Sequence, residues 1–161
     1  MDKAALDKIR IVEFVFIEKR PGPDEDRYGW EPFAESDEFS RDWWRHQFDP
    51  EDPYILLEVR LGEVEVARLD LEPGVVIDEA YATPELGTTT LEIGFFEVAQ
   101  SQRRRGFGTV IMLGLHVRYP DRRLLAFSQE ADEFWASLGW RRYDHPDGPD
   151  AHRPLFMQRA P

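Results

Sequence analysis

Alternation of apolar and polar residues along the chain predicts several strands. It is clearest in Tyr54–Leu61, and Glu63–Leu71 follows after a single glycine, as in a β-hairpin with an irregularity. Lys8–Lys19 is partly apolar on both alternating faces, which suits a strand that is covered on two sides. The same pattern predicts further strands at Leu91–Val98, Leu124–Ser128, Trp140–Tyr143 and Leu155–Arg159.

Helical patterns and turn residues occupy the segments between the strands. Helices are predicted over Glu38–Phe48, from the Gly-Phe-Gly step to Val117, and over Ala131–Leu138 with Gly139 as its C-cap. Arg20–Glu38 and Glu72–Thr90, rich in proline, glycine and acidic residues, read as connections. The predicted order β, α, β, β, β, α, β, α, β, β is that of a mixed α/β protein, and we expect one domain over residues 1–161.

The stretch Leu91–Val117 carries the strongest chemical signal. It joins an apolar strand to a helix through a turn that holds Arg103, Arg104, Arg105, Gly106 and Gly108. The first N–H groups of a helix have no intrahelical partner, and the helix dipole adds positive charge there. Arginine supplies bidentate donors for phosphate, and glycine lets the backbone approach a ligand. The stretch therefore predicts an anion site. Two adjacent phenylalanines, Phe95 and Phe96, also break the strand period, which suggests a β-bulge.

Two motifs in this half of the chain resemble those of a known superfamily. Val98-Ala-Gln-Ser-Gln-Arg103-Arg-Arg-Gly106-Phe-Gly108 resembles the acetyl-coenzyme A signature of the GNAT N-acetyltransferases, and Ala131–Trp140 looks like their second landmark, Ala-x-x-Phe-Tyr-x-x-x-Gly-Phe. The chain departs from the pattern in three places. Arg104 stands where glycine is usual, Gln100 replaces a frequent proline, and Trp135 replaces a tyrosine that often acts as general acid.

The resemblance implies a fold and a co-substrate. The fold would be a central, mostly antiparallel sheet, splayed between its fourth and fifth strands and flanked by helices, and the co-substrate would be acetyl-CoA. Its pantetheine arm would pair with the fourth strand, and its pyrophosphate would bind the turn. The implied cofactor contacts are Phe96, Val98, Arg103, Arg104, Arg105, Gly106, Phe107, Gly108, Thr109, Ser128, Phe134 and Trp135.

The resemblance also suggests catalytic residues for acetyl transfer to an amine. Glu92, on the central strand between apolar neighbours, is the candidate general base, and burial there should raise its pKa. A solvated strand glutamate is the alternative reading, and Glu97 is a competing base. For the general acid, Ser128 and Tyr143 are the nearest substitutes by pattern. Otherwise the thiolate leaves as such or takes a proton from water.

Aromatic residues in the first loop and helix are candidates for the acceptor pocket. In the GNAT fold this region borders the acceptor, so Trp30, Trp43 and Trp44 are candidate substrate-binding walls. Core packing of an amphipathic helix is the alternative reading for each. The acceptor would be an amine of a small molecule or peptide. The competing function is a non-catalytic acyl-CoA sensor or interaction module, which the tryptophan at position 135 favours.

Composition narrows the classes of partner. The net charge of −12 disfavours a nucleic-acid partner, because the phosphate backbone would be repelled. The absence of cysteine excludes disulfides and thiolate metal sites, and the four histidines show no metal-ligand spacing, so no metal is predicted. With no apolar run long enough for a membrane span and no signal-peptide pattern, we expect no membrane association and a cytoplasmic protein. A homodimer is left open.

Overall fold

The computed structural model describes residues 13–26, 29–45 and 53–160. Within these ranges the strands are β1 (Phe14–Lys19), β2 (Ile55–Leu61), β3 (Val64–Pro73), β4 (Thr90–Val98), β5 (Arg123–Phe127), β6 (Arg141–Tyr143) and β7 (Leu155–Met157). The α-helices are α1 (Arg41–Trp44), α2 (Phe107–Arg118) and α3 (Asp132–Ser137), and 3-10 turns lie at Glu79–Tyr81 and Gln100–Gln102. This order confirms the predicted mixed α/β sequence of elements.

Seven strands form one sheet in the order β1-β2-β3-β4-β5-β7-β6. β1 runs antiparallel to β2, and β7 runs antiparallel to both β5 and β6. β4 and β5 are parallel, with a register from Thr90↔Arg123 to Glu92↔Leu125. β4 then continues beyond this register to Val98, as a splay between the two strands requires. The expected mostly antiparallel sheet is confirmed.

The first helix is shorter than the periodicity predicted. Helix Glu38–Phe48 was expected, but helical structure begins only at Arg41, and residues 46–48 lie outside the described ranges. Ser40 has an extended backbone (φ −62°, ψ 122°). Its N–H donates to Glu97 Oε1 (2.8 Å), and the Glu38 carbonyl accepts from Gln100 N–H (3.0 Å). These tertiary hydrogen bonds replace the helical ones. Of the predicted strand Lys8–Lys19, residues 8–12 also lie outside the described ranges.

The chain divides into two compact units. The first comprises Met1–Asp70 and Phe95–Leu115, and the second Leu71–Gly94 and His116–Pro161. In the first unit a buried aromatic cluster is formed by Phe33, Phe39, Trp44, Leu56 and Ala99, with Trp30, Trp43 and Phe95 packed against it. In the second unit the corresponding cluster is Tyr81, Leu125, Leu155 and Met157, bordered by Ile77, Leu86, Phe127 and Tyr143. Each unit therefore has apolar packing of its own.

Among the described residues, no helix combines the length and the hydropathy that a membrane span needs.

Candidate active site

A tight turn leads from β4 into α2. Ala99 is buried and donates its N–H to the Val66 carbonyl (2.8 Å), which fixes the start of the turn. The first hydrogen bond of α2 runs from Val110 N–H to the Gly106 carbonyl (3.4 Å). The preceding amides, Phe107–Thr109, therefore have no acceptor within the helix. Together with the helix dipole, these amides make the turn suitable for an anion, and the anion site itself stays a prediction.

Left-handed backbone at two positions shapes this turn. Gly106 has φ 77° and Arg104 has φ 62°, a region that glycine adopts most easily. A Cβ built on Gly106 would meet no atom within 4 Å, so the backbone conformation, rather than protein packing, calls for glycine there. Arg104 takes a conformation that is unfavourable for a residue with a side chain and that glycine adopts more easily.

The arginines of the turn differ in how they are held. Arg103 donates from Nε to the Val98 carbonyl (3.0 Å) and from Nη2 to Glu97 Oε2 (3.3 Å). Arg105 donates from Nη1 to Gln102 Oε1 (2.7 Å), and its guanidinium lies over the Phe107 ring. Arg103 is thus held against the end of β4, and Arg105 lies beside Gln102 and the first residue of α2. Phosphate binding by these arginines stays a prediction.

Glu97 links this turn to α1. Its side chain is only 10% exposed. Oε1 accepts from Ser40 N–H and from Trp44 Nε1–H, both at 2.8 Å, while Oε2 faces Arg103. Both oxygens are therefore engaged in holding neighbouring elements. Glu97 is thus less suited to accept a substrate proton than the sequence suggested, and it acts as a structural link that the strand pattern did not reveal.

The three candidate acceptor-site tryptophans belong to one aromatic cluster. Trp44 is 5% exposed and packs edge-on against Phe33 with ring centroids 5.1 Å apart, so it follows the core-packing alternative. Trp43 is partly buried against Phe95, with centroids 5.3 Å apart, and Trp30 packs at the border of the cluster. The role of Trp30 and Trp43 in acceptor binding stays a prediction.

A neighbouring buried cation went unrecognised in the sequence. Arg68 is 3% exposed, and its guanidinium lies over the rings of Phe33 (4.8 Å) and Phe39 (4.1 Å). It also donates from Nε to Glu65 Oε1 (2.6 Å) and from Nη2 to the Ala34 carbonyl (2.8 Å). Its charge is thus compensated, and it fixes the loop that carries the aromatic residues.

Glu92 lies in surroundings that raise the pKa of its carboxyl group. It lies on β4 between the buried residues Leu91 and Ile93, and it pairs in register with Leu125. Burial raises the pKa of its carboxyl group, and the negative charge of Glu72 raises it further. Arg153 acts in the opposite direction and lowers it. The direction of the shift agrees with the sequence prediction, while the catalytic role stays a prediction.

Ser128 lies at the end of β5, at the edge of an open cavity of about 940 Å³. It is 3% exposed; its N–H donates to the Pro154 carbonyl (2.8 Å), and its Oγ accepts from Ala131 N–H (3.2 Å). Phe134 and Arg153 line the same cavity. The hydroxyl proton of Ser128 is not used in either bond, so this residue can still donate it.

Phe134 and Trp135 of the second landmark, and Tyr143 beyond it, pack against neighbouring rings or apolar side chains. Trp135 is 6% exposed and stacks on Trp140, with centroids 5.1 Å apart and ring planes at 24°. Phe134 packs edge-on against Trp135 (4.9 Å). Tyr143 borders the apolar cluster of the second unit, with the Arg141 guanidinium 5.2 Å from its ring. Cofactor contact by Trp135 and acid catalysis by Tyr143 stay predictions.

Three histidines make defined contacts within the second unit. His116 accepts from Gln158 at 2.6 Å, in line with a structural role. The sequence predicted no metal site, and that stays a prediction; in the structure His145, Asp147 and His152 bring three possible ligand atoms within 4.8 Å of one another. A turn at Gly148, where φ is 86°, folds the β6–β7 loop back and creates this proximity. The Asp-Gly step between the histidines was the available signal.

Comparison with known proteins identifies the fold. No family model and no curated protein sequence matches the chain. An acetyltransferase from Thermus thermophilus is similar in structure at 18% identity, with a TM-score of 0.51, over 67% of this chain and 66% of that one. A protein from Bacillus halodurans is similar at 13% identity with a TM-score of 0.51, over 66% of this chain and 59% of that one. Aminoglycoside acetyltransferase AAC(6')-Ib, solved with coenzyme A, is similar at 16% identity with a TM-score of 0.48, over 67% of each chain. The chain has the fold of GNAT acetyltransferases.

Proposed function

We propose that the protein transfers an acetyl group from acetyl-CoA to an amine of a small molecule or peptide. The observation that carries this proposal is the turn at residues 103–109, where free helix amides, two positive-φ residues and three arginines meet on a GNAT fold. A pyrophosphate bears the charge and the acceptor oxygens that such a turn binds. Phe96 and Val98 of β4 would hold the pantetheine arm.

Glu92 is the general base in this proposal. The amine nitrogen attacks the thioester carbonyl carbon, and Glu92 accepts the amine proton, directly or through water. The carbon–sulfur bond then breaks, and the thiolate takes a proton from Ser128, Tyr143 or water. Support for Glu92 comes from its raised pKa, since a base that works near neutrality needs a value above that of a solvated glutamate.

Free-thiol release from acetyl-CoA against a panel of amines tests this proposal. With an accepted amine, Glu92→Gln should lower turnover by roughly 10²–10⁴ at neutral pH while acetyl-CoA affinity stays near that of the wild type. Glu63→Gln, in the exposed β2–β3 turn, is the matched control and should keep full activity. Wild-type turnover by Glu92→Gln would exclude Glu92 as the base.

A non-catalytic acyl-CoA-binding module is the second candidate. The buried Trp135, stacked on Trp140, favours it, because the indole that replaces the usual tyrosine has no acidic proton to give the leaving thiolate. Binding of acetyl-CoA without thiol release for any amine of the panel would support this candidate and contradict the first.

A further inference from the structure

We propose that His145, Asp147 and His152 form a site for a divalent transition-metal ion of the Zn²⁺ type, in the loop between β6 and β7. Asp147 Oδ2 lies 3.7 Å from His145 Nδ1 and 3.8 Å from His152 Nε2. Ligand atoms around a tetrahedral zinc ion are about 3.3 Å apart, given bonds of about 2.0 Å. The rings of His145 and His152 stack with centroids 3.7 Å apart and planes at 21°, so binding requires the exposed His152 ring to leave the stack and turn its nitrogen towards the ion.

The hydrogen bonds of His145 indicate which of its nitrogens faces the site. Asp147 N–H donates to His145 Nδ1 (3.1 Å), so Nδ1 carries no proton. In the neutral ring the proton is then on Nε2, which lies 3.3 Å from Asp78 Oδ2 and donates to it. A histidine that binds a metal commonly donates its other N–H to a carboxylate in this way. On binding, the ion replaces the amide hydrogen of Asp147 at the Nδ1 lone pair.

The surrounding contacts hold His145, but not His152, in a fixed position. Asp78 is oriented by the Ala80 N–H, which donates to its Oδ1 (2.9 Å). The Tyr81 ring packs edge-on against His145, with centroids 5.3 Å apart, and the side chain of His145 is only 7% exposed. The His152 ring stacks on His145 at 3.7 Å and remains 42% exposed. One ligand is therefore fixed and buried, while the other two face solvent, from which an ion can enter.

The chemistry of the donor atoms selects the class of ion. Two imidazole nitrogens and one carboxylate oxygen suit Zn²⁺, Co²⁺ or Ni²⁺, whereas Ca²⁺ and Mg²⁺ prefer oxygen ligands throughout. The carboxylates of Asp147 and Asp78 balance the double positive charge. The chain has no cysteine, so no thiolate competes for the metal. The ion would pin both ends of the loop together, and water would complete its coordination.

Zn²⁺ titration of the metal-free full-length protein, with a chromophoric chelator as competitor, tests this site. We expect binding of one ion per chain, lost in Asp147→Asn and His152→Ala. Asp78→Asn should keep the stoichiometry and weaken affinity by about 10–100-fold, because it removes the carboxylate that orients His145. Asp150→Asn is the matched control, an exposed carboxylate of the same loop outside the trio, and should bind like the wild type.

Co²⁺ provides a second readout that does not depend on affinity. The wild type should show the visible absorption bands of tetrahedral nitrogen–oxygen coordination, and Asp147→Asn should not. Circular dichroism of each variant shows that it is folded, which is expected because Asp147 and His152 are largely exposed side chains. Zn²⁺ affinities that are equal in the wild type, Asp147→Asn and His152→Ala would overturn the proposal, and so would an equal preference for Mg²⁺.

Discussion

Replacing Glu97 should separate the contribution of its two hydrogen bonds to the stability of the first unit from the contribution of its negative charge. In the wild type one carboxylate oxygen accepts from Ser40 N–H and Trp44 Nε1–H, and the other faces Arg103. Glu97→Gln keeps a carbonyl oxygen that can accept both hydrogen bonds, but it loses the charge. Glu97→Ala removes the acceptor altogether and leaves the indole N–H of a residue that is 5% exposed without its partner.

The magnitudes follow from these contacts. A buried donor left unsatisfied costs about 1–3 kcal/mol, so Glu97→Ala should lower the free energy of unfolding by about 2–5 kcal/mol. The Arg103 side chain is 50% exposed and its contact is 3.3 Å long, so this ion pair contributes about 0.2–1 kcal/mol. In Glu97→Gln the hydrogen bonds from Ser40 and Trp44 go to a neutral oxygen and are weaker, which adds to the loss of the ion pair. This variant should therefore lower the free energy of unfolding by about 1–2 kcal/mol in total.

Urea unfolding followed by circular dichroism measures both variants. Circular dichroism is preferable to fluorescence here, because the substitutions change the environment of Trp44 itself. The urea midpoint should be highest for the wild type, lower for Glu97→Gln and lowest for Glu97→Ala. The free energies of unfolding of the two variants should differ by at least about 1 kcal/mol. Equal stabilities for Glu97→Gln and Glu97→Ala would refute the reasoning, since they would mean that the two hydrogen bonds from α1 contribute nothing.

Three further predictions concern charge and backbone conformation. Arg103→Gln or Arg105→Gln should weaken acetyl-CoA binding by about 1–3 kcal/mol in calorimetry, with a smaller loss at high salt. Arg104→Gly should raise the free energy of unfolding by about 1 kcal/mol in urea, because glycine relieves the left-handed backbone. Glu92→Gln should raise the melting temperature at pH 8 but not below about pH 4. Since the folded pKa is raised, the folded state binds the proton more tightly, and stability is lost as pH rises through that pKa.

The elements that local pattern determines were predictable from the sequence. The strand, turn and helix around Gly106 follow from apolar periodicity and glycine placement, both of which act within a few residues. The half-buried position of Glu92 follows from its apolar neighbours on the same strand. The departure at Arg104 was visible in the sequence, but its left-handed backbone appears only in the structure.

Features that depend on distant contacts were not predictable. The start of α1 is set by bonds to Glu97, which lies 57 residues beyond Ser40, and no helical periodicity records such a partner. The contact between Asp78 and His145, 67 residues apart, is equally absent from any local pattern, whereas the Gly148 turn that brings His145, Asp147 and His152 together is local. In both places tertiary hydrogen bonds, rather than the local preferences of the sequence, determine the conformation.

Calorimetric titration with acetyl-CoA of the wild type, Gly106→Val and Gly62→Val tests the central claim most directly. Both glycines have positive φ (77° and 60°), and at neither would a Cβ meet an atom within 4 Å, so the two variants carry similar backbone strain. We expect saturable binding to the wild type, retained in Gly62→Val and abolished in Gly106→Val, because valine there disrupts the turn that holds the pyrophosphate. Equal affinity in all three folded proteins would contradict the assignment of the turn as the acetyl-CoA site.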